Sequence, residues 1–359
     1  MSRPVVSFPH MGNYAHVLAP LAELIDADVL VAPPITRRTL EIGARHSPEF
    51  ACIPFKYNLG NFIEALDAGA NVLIQAGGGC RFGYYGEVQE AILRDLGYDC
   101  GFIQLSSDLK ISNIARFLRR YNAKIRKSKV DHAINLTWDK LRLLDEIEDA
   151  LRKQVGFEVE EGAHDRFMQW FLTEISQAPE REDVARLAEE ARTALAAIPV
   201  DKPENPLRVG LVGELYVLME PFSNMSVERY LAKRGVEVHR HCTVSAILDH
   251  AIEGLPNIER MLKVTDPYLK NHIGADGTES VYLTLKLMNE GFDGVLHLKP
   301  FGCMPEVSAM GALQRISREK GFPILFMSYD AQTSEAGVLT RLEAFCDVLS
   351  MRRKELAHA

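Results

Sequence analysis

The fold is decided by the sequence Gly77-Gly78-Gly79-Cys80-Arg81-Phe82-Gly83-Tyr84-Tyr85, a glycine-rich turn that contains a cysteine. Residues 71–75 before this turn, with apolar Val72, Leu73 and Ile74, predict a strand, and residues 85–96 after it have the periodicity of a helix. Two further cysteines, Cys52 and Cys303, also follow an apolar, strand-like run and precede an amphipathic helical pattern. Three cysteines therefore share one kind of position, between a strand and a helix.

On both sides of this stretch, strand and helix patterns alternate. Strands are predicted at residues 4–9, 27–31, 71–75, 99–105, 207–211, 236–244, 294–298 and 323–328. Helices are predicted at residues 15–25, 61–66, 85–96, 226–234, through much of 245–291, and at 306–320 and 334–351. This alternation and spacing indicate parallel βαβ units, so the chain is predicted to be an α/β protein.

The middle of the chain has a different character. Strand patterns are absent from about residue 110 to 198, where apolar residues recur every three or four positions. A segment with two prolines, residues 200–206, then predicts a domain boundary. We therefore predict an N-terminal α/β domain at residues 1–109, a helical insertion at 110–200 and a C-terminal α/β domain at 201–359.

Composition narrows the class of protein. The chain has 49 acidic and 41 basic residues, a formal net charge of -8, so no affinity for nucleic acid or for an anionic membrane is expected. No apolar run is long enough to span a bilayer, and the first residues lack a signal-peptide pattern. We expect a cytoplasmic protein, in which six cysteines are reduced, metal-binding or catalytic.

Cys52, Cys80 and Cys303 are candidates for one shared site. Loops that follow parallel strands meet at one edge of a sheet, so distant cysteines can come together there. A helix that starts beside a thiol is expected to lower its pKa, and residues 77–79, all glycine, allow the backbone to approach a bulky group. The chain has no CxxC pair, however. A shared metal site and three unrelated cysteines both stay open at this point.

The other cysteines have structural explanations. Cys100 and Cys242 alternate with apolar residues in predicted strands, and Cys346 lies on the apolar stripe of a predicted helix. Because a buried free cysteine behaves as a small apolar side chain, we predict packing roles for these three.

Several short motifs occur in a fixed order along the chain. They are Cys52-Ile53-Pro54-Phe55-Lys56 with Gly60-Asn61, Gly79-Cys80-Arg81-Phe82-Gly83-Tyr84-Tyr85, Gly213-Glu214-Leu215-Tyr216, Glu220-Pro221-Phe222-Ser223-Asn224, and Pro300-Phe301-Gly302-Cys303-Met304-Pro305-Glu306. Together they resemble the 2-hydroxyacyl-CoA dehydratase and benzoyl-CoA reductase superfamily, most closely its activase-related branch. The resemblance extends over most of the chain and is weakest in the helical middle region.

This resemblance implies a fold and a cofactor. It implies two flavodoxin-like, or Rossmann-like, domains and a cubane [4Fe-4S] cluster held by Cys52, Cys80 and Cys303, with Gly79 and Arg81 beside it. In the family, a separate ATP-hydrolysing activator delivers low-potential electrons, which reduce an acyl-CoA thioester or an aromatic ring. Three cysteine ligands leave one iron open, and some relatives carry a doubled cubane.

The expected function follows from the same resemblance. The chain contains no GxxxxGK[ST] pattern, so the activator would be a separate polypeptide. We expect an iron-sulfur protein that functions under anaerobic conditions. It would accept these electrons and pass them to a small substrate such as an acyl-CoA. Two alternatives stay open: a non-redox partner of the activator with a structural iron-sulfur or zinc site, and a docking scaffold. The active unit could be a single copy of the chain or a homodimer, and the sequence does not decide between them.

Charged residues near the motifs are further candidates. Glu214 is predicted to act as a proton donor near the cluster, and helix capping is an equal alternative. Lys56 and Arg81 would offset cluster charge or bind a thioester oxygen, unless they only form salt bridges. Lys299 is predicted to point into the crevice at the end of its strand. For His10 and Tyr14, in the first strand-end loop, ordinary polar roles are favoured.

The segment 110–129 is rich in basic residues. They are Lys110, Arg116, Arg119, Arg120, Lys124, Arg126, Lys127 and Lys129. A solvated helix face is the favoured explanation. The alternative is a docking surface for an acidic partner or for the phosphates of coenzyme A.

Overall fold

The computed structural model describes residues 4–23, 27–77, 79–105, 126–253 and 255–358. Within these ranges the strands form two parallel four-stranded sheets. The N-terminal sheet has the order β2-β1-β3-β4 and consists of β1 (Val5–Ser7), β2 (Asp28–Val29), β3 (Val72–Ala76) and β4 (Gly101–Leu105). The C-terminal sheet has the order β6-β5-β7-β8 and consists of β5 (Leu207–Gly213), β6 (Val236–Arg240), β7 (Gly294–Pro300) and β8 (Ile324–Tyr329).

Helices connect these strands and form the middle of the chain. In chain order they are α1 (Ala15–Glu23), α2 (Arg37–His46), α3 (Ile53–Asp67), α4 (Tyr85–Asp95), α5 (Lys127–Arg152), α6 (Ala163–Gln177), α7 (Arg181–Ala196), α8 (Leu215–Met219), α9 (Val227–Lys233), α10 (Val244–Glu253), α11 (Leu255–Thr265), α12 (Gly277–Asn289), α13 (Met304–Lys320) and α14 (Glu335–His358). Two short 3₁₀ turns lie at Arg81–Tyr84 and Val155–Phe157.

The two sheets have the same strand order, which is the order of the first four strands in flavodoxin-like folds. The prediction of an α/β protein with two flavodoxin-like parallel sheets and helices between them is confirmed. Strands are present at all eight of the ranges given above for them, because parallel strands that are covered on both faces consist largely of apolar residues. All seven residues of β7, for example, are buried.

The sequence did not predict α2, and it placed the start of α3 eight residues too late. Thr36 caps α2, and Pro54 occupies the first turn of α3, where proline is favourable. The two helices pack backbone against backbone: a Cβ at Gly43 would lie 1.7 Å from the carbonyl oxygen of Lys56, and one at Gly60 2.0 Å from that of Thr39. Glycines that permit this contact also weaken the helical pattern, which explains the missed residues.

The middle helices share a core with the C-terminal sheet. Leu144 on α5, Phe171 on α6 and Leu195 on α7 belong to the same buried cluster as Leu211 on β5 and Leu342 on α14. The predicted domain boundaries stay predictions. Residues 110–125 of the basic segment lie outside the described residues.

Buried ion pairs join the same two regions. Arg152 on α5 bonds Glu228 on α9 at 2.9 Å, and Arg240 on β6 bonds Glu148 on α5 at 3.1 Å. Both arginine side chains are 5% exposed, so each needs its carboxylate partner.

No helix in the part of the chain that the structure describes is long and apolar enough to cross a membrane.

Candidate functional site

Cys52 lies at the start of α3, in the loop between the two packed helices α2 and α3. It is the N-terminal cap of α3, and its side chain is half-buried. The strand predicted immediately before Cys52 is wrong, because α2 and a short loop occupy that part of the chain. The position of this thiol is therefore fixed by a helix pair and not by the end of a strand.

Cys80 lies in the loop after β3, directly before the 3₁₀ turn that leads into α4. Its side chain is exposed. The preceding residue, Gly79, faces the C-terminal half: the Cα atom of Ala275 lies 3.4 Å from where a Cβ of Gly79 would be. The cysteine loop of the N-terminal sheet thus contacts the loop that leads into α12.

Cys303 follows β7 and caps the N-terminus of α13, as predicted from the apolar run and the helical pattern around it. Its side chain is half-buried. Phe301 and Met304, on either side, are 70% and 66% exposed, so the cysteine is bordered by large apolar side chains at the surface.

Cys52 lies close enough to Cys80 and to Cys303 for the charges of these thiols to interact. The charge of Cys80 raises the pKa of Cys52, and the charge of Cys52 raises the pKa of Cys303. The charge of Glu214 raises the pKa of both Cys52 and Cys303. Coulombic interactions weaken with distance, so these four side chains occupy one neighbourhood. The structure therefore brings together residues that are up to 251 positions apart in the sequence.

Burial dominates the acidity of the two less exposed thiols. It raises the pKa of Cys52 to about 11 and raises the pKa of Cys303 as well. The backbone N–H groups of Phe55 and Glu306, at the two helix starts, lower these pKa values by less. The helix starts thus act in the expected direction, but desolvation of the thiolate outweighs the N–H groups, so the net pKa of each thiol is raised and not lowered. A metal that binds here must displace protons.

Tyr85 contacts one of the candidate ligands. Its phenol oxygen lies 3.5 Å from the Sγ atom of Cys52, and this contact lowers the pKa of the thiol. Arg81 lies near the same phenol, because its charge lowers the pKa of Tyr85. The sequence placed Tyr85 in the organising stretch but gave it no role.

Glu214 directly follows β5, at the carboxyl ends of the strands of the C-terminal sheet. Its side chain accepts a hydrogen bond from the backbone N–H of Val217 at 2.9 Å and thereby caps α8, which was the alternative role considered for it. Gly213, directly before it, has φ +138°, and a Cβ there would lie 1.8 Å from the carbonyl oxygen of Leu298. Only glycine fits this position. Burial raises the pKa of Glu214 to about 7.

Two more carboxylic acids face Glu214. Asp276, before α12, accepts a hydrogen bond from the backbone N–H of Leu215 at 3.2 Å, and burial raises its pKa well above the usual range, with further contributions from Glu214 and Glu306. Glu306, on α13, is fully buried and lies 2.6 Å from Nε2 of His297. Sequence reasoning missed Asp276 and His297. The only signal for Asp276 was its position directly before a helix, and His297 lies in the middle of β7 without a signal of its own.

The remaining sequence candidates are Lys56, Lys299, His10 and Tyr14. Lys56 is half-buried in the first turns of α3, and its predicted role stays a prediction. Lys299 is 4% exposed at the end of β7. His10 lies 2.8 Å from Glu220, and the hydroxyl of Tyr14 donates a hydrogen bond to Asp145 at 2.6 Å.

His10 and Tyr14 thus have the polar structural roles that were favoured for them. Both bonds link the first strand-end loop to residues more than a hundred positions away, and so hold the N-terminal sheet to the rest of the molecule.

The six cysteines, all within the described residues, form no disulfide. Cys242 and Cys346 are buried, and Cys100 is half-buried, in agreement with packing roles. β6 ends at Arg240, however, so Cys242 lies in the loop after the strand and not in the strand itself.

The donors present suit an iron-sulfur cluster in their chemistry. Over the described ranges, no group of three or more His, Cys, Asp or Glu side chains is arranged to hold a metal ion. Thiolates are the ligands of iron-sulfur clusters, and three thiols from separate loops share one neighbourhood here. The helix starts at Cys52 and Cys303 also place backbone N–H groups beside the sulfurs, which is how proteins tune such clusters.

Comparison with protein families gives a match over most of the chain. A family model described as 2-hydroxyglutaryl-CoA dehydratase, D-component, matches residues 105–349. This range includes the middle helices, the C-terminal sheet, Glu214 and Cys303, whereas Cys52 and Cys80 precede it. No curated protein of similar sequence was found.

Proposed function

The chain belongs to the family of the 2-hydroxyglutaryl-CoA dehydratase D-component, and from this membership we propose that it is an iron-sulfur protein that receives low-potential electrons. The electrons come from a separate ATP-hydrolysing activator and pass to a small substrate, with an acyl-CoA as the proposed class. One observation carries the proposal: Cys80 and Cys303 each lie within electrostatic reach of Cys52.

In this proposal the three cysteines hold the cluster as thiolates. Cys80 is the exposed ligand, and Cys52 and Cys303 are the half-buried ones. When bound, an iron-sulfur cluster supplies one-electron transfer at low potential. Because Cys52 and Cys303 are half-buried, water is kept away from their sulfur atoms. Gly79, which has no side chain, leaves room for the cluster beside Cys80.

Glu214 is the proposed proton donor. Burial keeps its pKa near 7, so the carboxyl group holds a proton at a pH where an ordinary glutamic acid has lost it. Addition of an electron to a substrate generates negative charge, and a proton held nearby neutralises that charge. Arg81 and Lys56 supply positive charge in the same proposal, Arg81 beside the Tyr85 phenol that contacts Cys52.

The activator is proposed to be another polypeptide, because the chain has no GxxxxGK[ST] pattern. The proposed setting is the cytoplasm of a cell that maintains anaerobic conditions, where such clusters survive. A homodimer is one proposed form of the active unit.

Electron paramagnetic resonance on protein purified without oxygen and reduced with dithionite tests the proposal. We expect a signal from a reduced iron-sulfur cluster in the wild-type protein and in Cys346→Ser, which removes a buried thiol on α14. We expect no such signal in Cys303→Ser. Bound zinc with no paramagnetic signal would instead identify a structural site and would refute the electron-accepting role.

A further inference from the structure

A cavity of about 420 Å³ lies between α2 of the N-terminal half and the loop after β8 in the C-terminal half. Its lining includes Leu40 and Arg45 on α2, and Ala331 and Gln332 in the loop. None of the six cysteines, all of which the structure describes, lines it. Proteins bind small molecules in cavities of roughly 300–1,000 Å³, so this cavity has the size of a site for a small organic molecule.

The charged residues of this cavity lie along one face of α2. Arg37, Glu41 and Arg45 all line it, and their spacing of four residues places them on successive turns of the helix. Nε of Arg37 donates a hydrogen bond to Oε1 of Glu41 at 3.3 Å. Within the part of the chain that the structure describes, Arg45 has neither a hydrogen bond nor an ion pair. One guanidinium group of the cavity is therefore available to an anion from solution.

The charge of the lining favours a phosphate or a carboxylate. A guanidinium group presents its N–H donors in a planar fork, which bonds two oxygen atoms of such a group at once. Two arginines and one glutamate give the lining a net charge of +1, whereas the whole chain has a formal net charge of -8. The cavity is therefore a locally positive site on an acidic protein, and it attracts anions that the rest of the surface repels.

The uncharged part of the lining suits a flat ring with polar edges. Leu40 is 5% exposed and belongs to the largest buried cluster, against which Ala331 packs, so α2 and the loop both contribute apolar surface. The side-chain amide of Gln332 can both donate and accept hydrogen bonds, as the edge of a nucleobase requires. An anion for Arg45, an apolar ring face and a hydrogen-bonding ring edge are together the groups of a nucleotide.

We propose that the cavity between α2 and the loop after β8 binds a nucleoside monophosphate, with the phosphate on Arg45 and the base beside Gln332. The single unpaired guanidinium matches one phosphate group, whereas the nucleotide part of an acyl-CoA carries several. The site contains no cysteine and needs neither iron nor an activator. The proposal therefore goes beyond the proposed function and can fail independently of it.

Calorimetry on the full-length protein, purified without oxygen, tests the site without any variant. The probes are AMP, GMP, CMP and UMP, because the structure does not select one base. We expect at least one of them to bind, and its nucleoside to bind about tenfold more weakly or worse, since the nucleoside lacks the charged acceptor for Arg45. The proposal is overturned if no mononucleotide binds, if the nucleoside binds as tightly, or if coenzyme A binds more tightly than all four.

Substitutions of exposed residues on α2 test whether the nucleotide occupies this cavity. Arg45→Gln should weaken its binding by about tenfold or more. Glu41→Gln should strengthen binding by about twofold, because it removes the negative charge of the lining and releases Arg37. The matched control is Arg38→Gln, since Arg38 is an exposed arginine of the same helix outside the cavity, and binding should not change. Unchanged binding in Arg45→Gln, or weaker binding in Glu41→Gln, contradicts the proposed site.

Discussion

The phenol oxygen of Tyr85 lies 3.5 Å from the Sγ atom of Cys52. This contact joins the end of the glycine-rich stretch to the loop between α2 and α3, so the elements that carry Cys52 and Cys80 touch each other. The phenol lowers the pKa of a thiol that burial has raised to about 11.

Tyr85→Phe should therefore make the thiol of Cys52 less acidic. We expect the pH midpoint for alkylation of Cys52, measured by mass spectrometry on metal-free protein, to lie above the value of about 11 in the wild type. Tyr84→Phe is the matched control, since Tyr84 is 74% exposed. An unchanged or lower midpoint in Tyr85→Phe would show that the phenol does not stabilise the thiolate.

Glu214 should make the protein less stable as the pH rises. Its pKa is 4.5 in an unfolded chain and about 7 in the folded protein, so the folded state binds more protons between these values. The free energy of unfolding therefore falls with increasing pH in this window, by about 3 kcal/mol from this group. We expect Glu214→Gln to remove that part of the pH dependence in urea unfolding experiments.

Glu214→Gln keeps an oxygen that can cap α8, so its effect reports on charge and not on loss of the cap. Glu49→Gln, at an exposed loop position, is the control and should leave the pH dependence unchanged. A Glu214→Gln protein whose stability changes with pH as steeply as that of the wild type would show that Glu214 is not protonated in the folded state.

The packing of α2 against α3 should depend on Gly43. Gly43→Ala would place a Cβ 1.7 Å from the carbonyl oxygen of Lys56, and we expect a loss of about 3 kcal/mol in the free energy of unfolding. Gly311, in α13, has open space around it, so Gly311→Ala should stabilise the protein by about 0.5–1 kcal/mol. Equal effects of the two substitutions would contradict the close helix contact that positions Cys52.

The sheets were predictable because their strands are short apolar runs separated by helical patterns. The helix pair on either side of Cys52 was not, since the glycines and prolines that allow close packing also obscure the periodicity of α2 and α3. The three candidate ligands were predicted from their shared position before helical patterns and from the family motifs. They are Cys52, Cys80 and Cys303.

Other parts of the site depend on long-range contacts that one sequence does not display. Asp276 is a helix-start acid like many others until β5 and α12 bring it beside Glu214. The raised pKa values of Cys52 and Cys303 follow from burial, which a pattern of residues around a single cysteine does not measure. Tyr85 gains its contact with Cys52 only because α4 and α3 pack together.

Iron and acid-labile sulfide, measured per chain in protein purified without oxygen, test the central claim most directly. We predict about four irons and four sulfides per chain for a single cubane, or about twice as much iron for a doubled one. Cys52→Ser, Cys80→Ser and Cys303→Ser should each lose most of this iron, while Cys346→Ser keeps it. Wild-type protein without iron, or with iron that none of the three substitutions removes, would contradict the claim that these thiols hold a cluster.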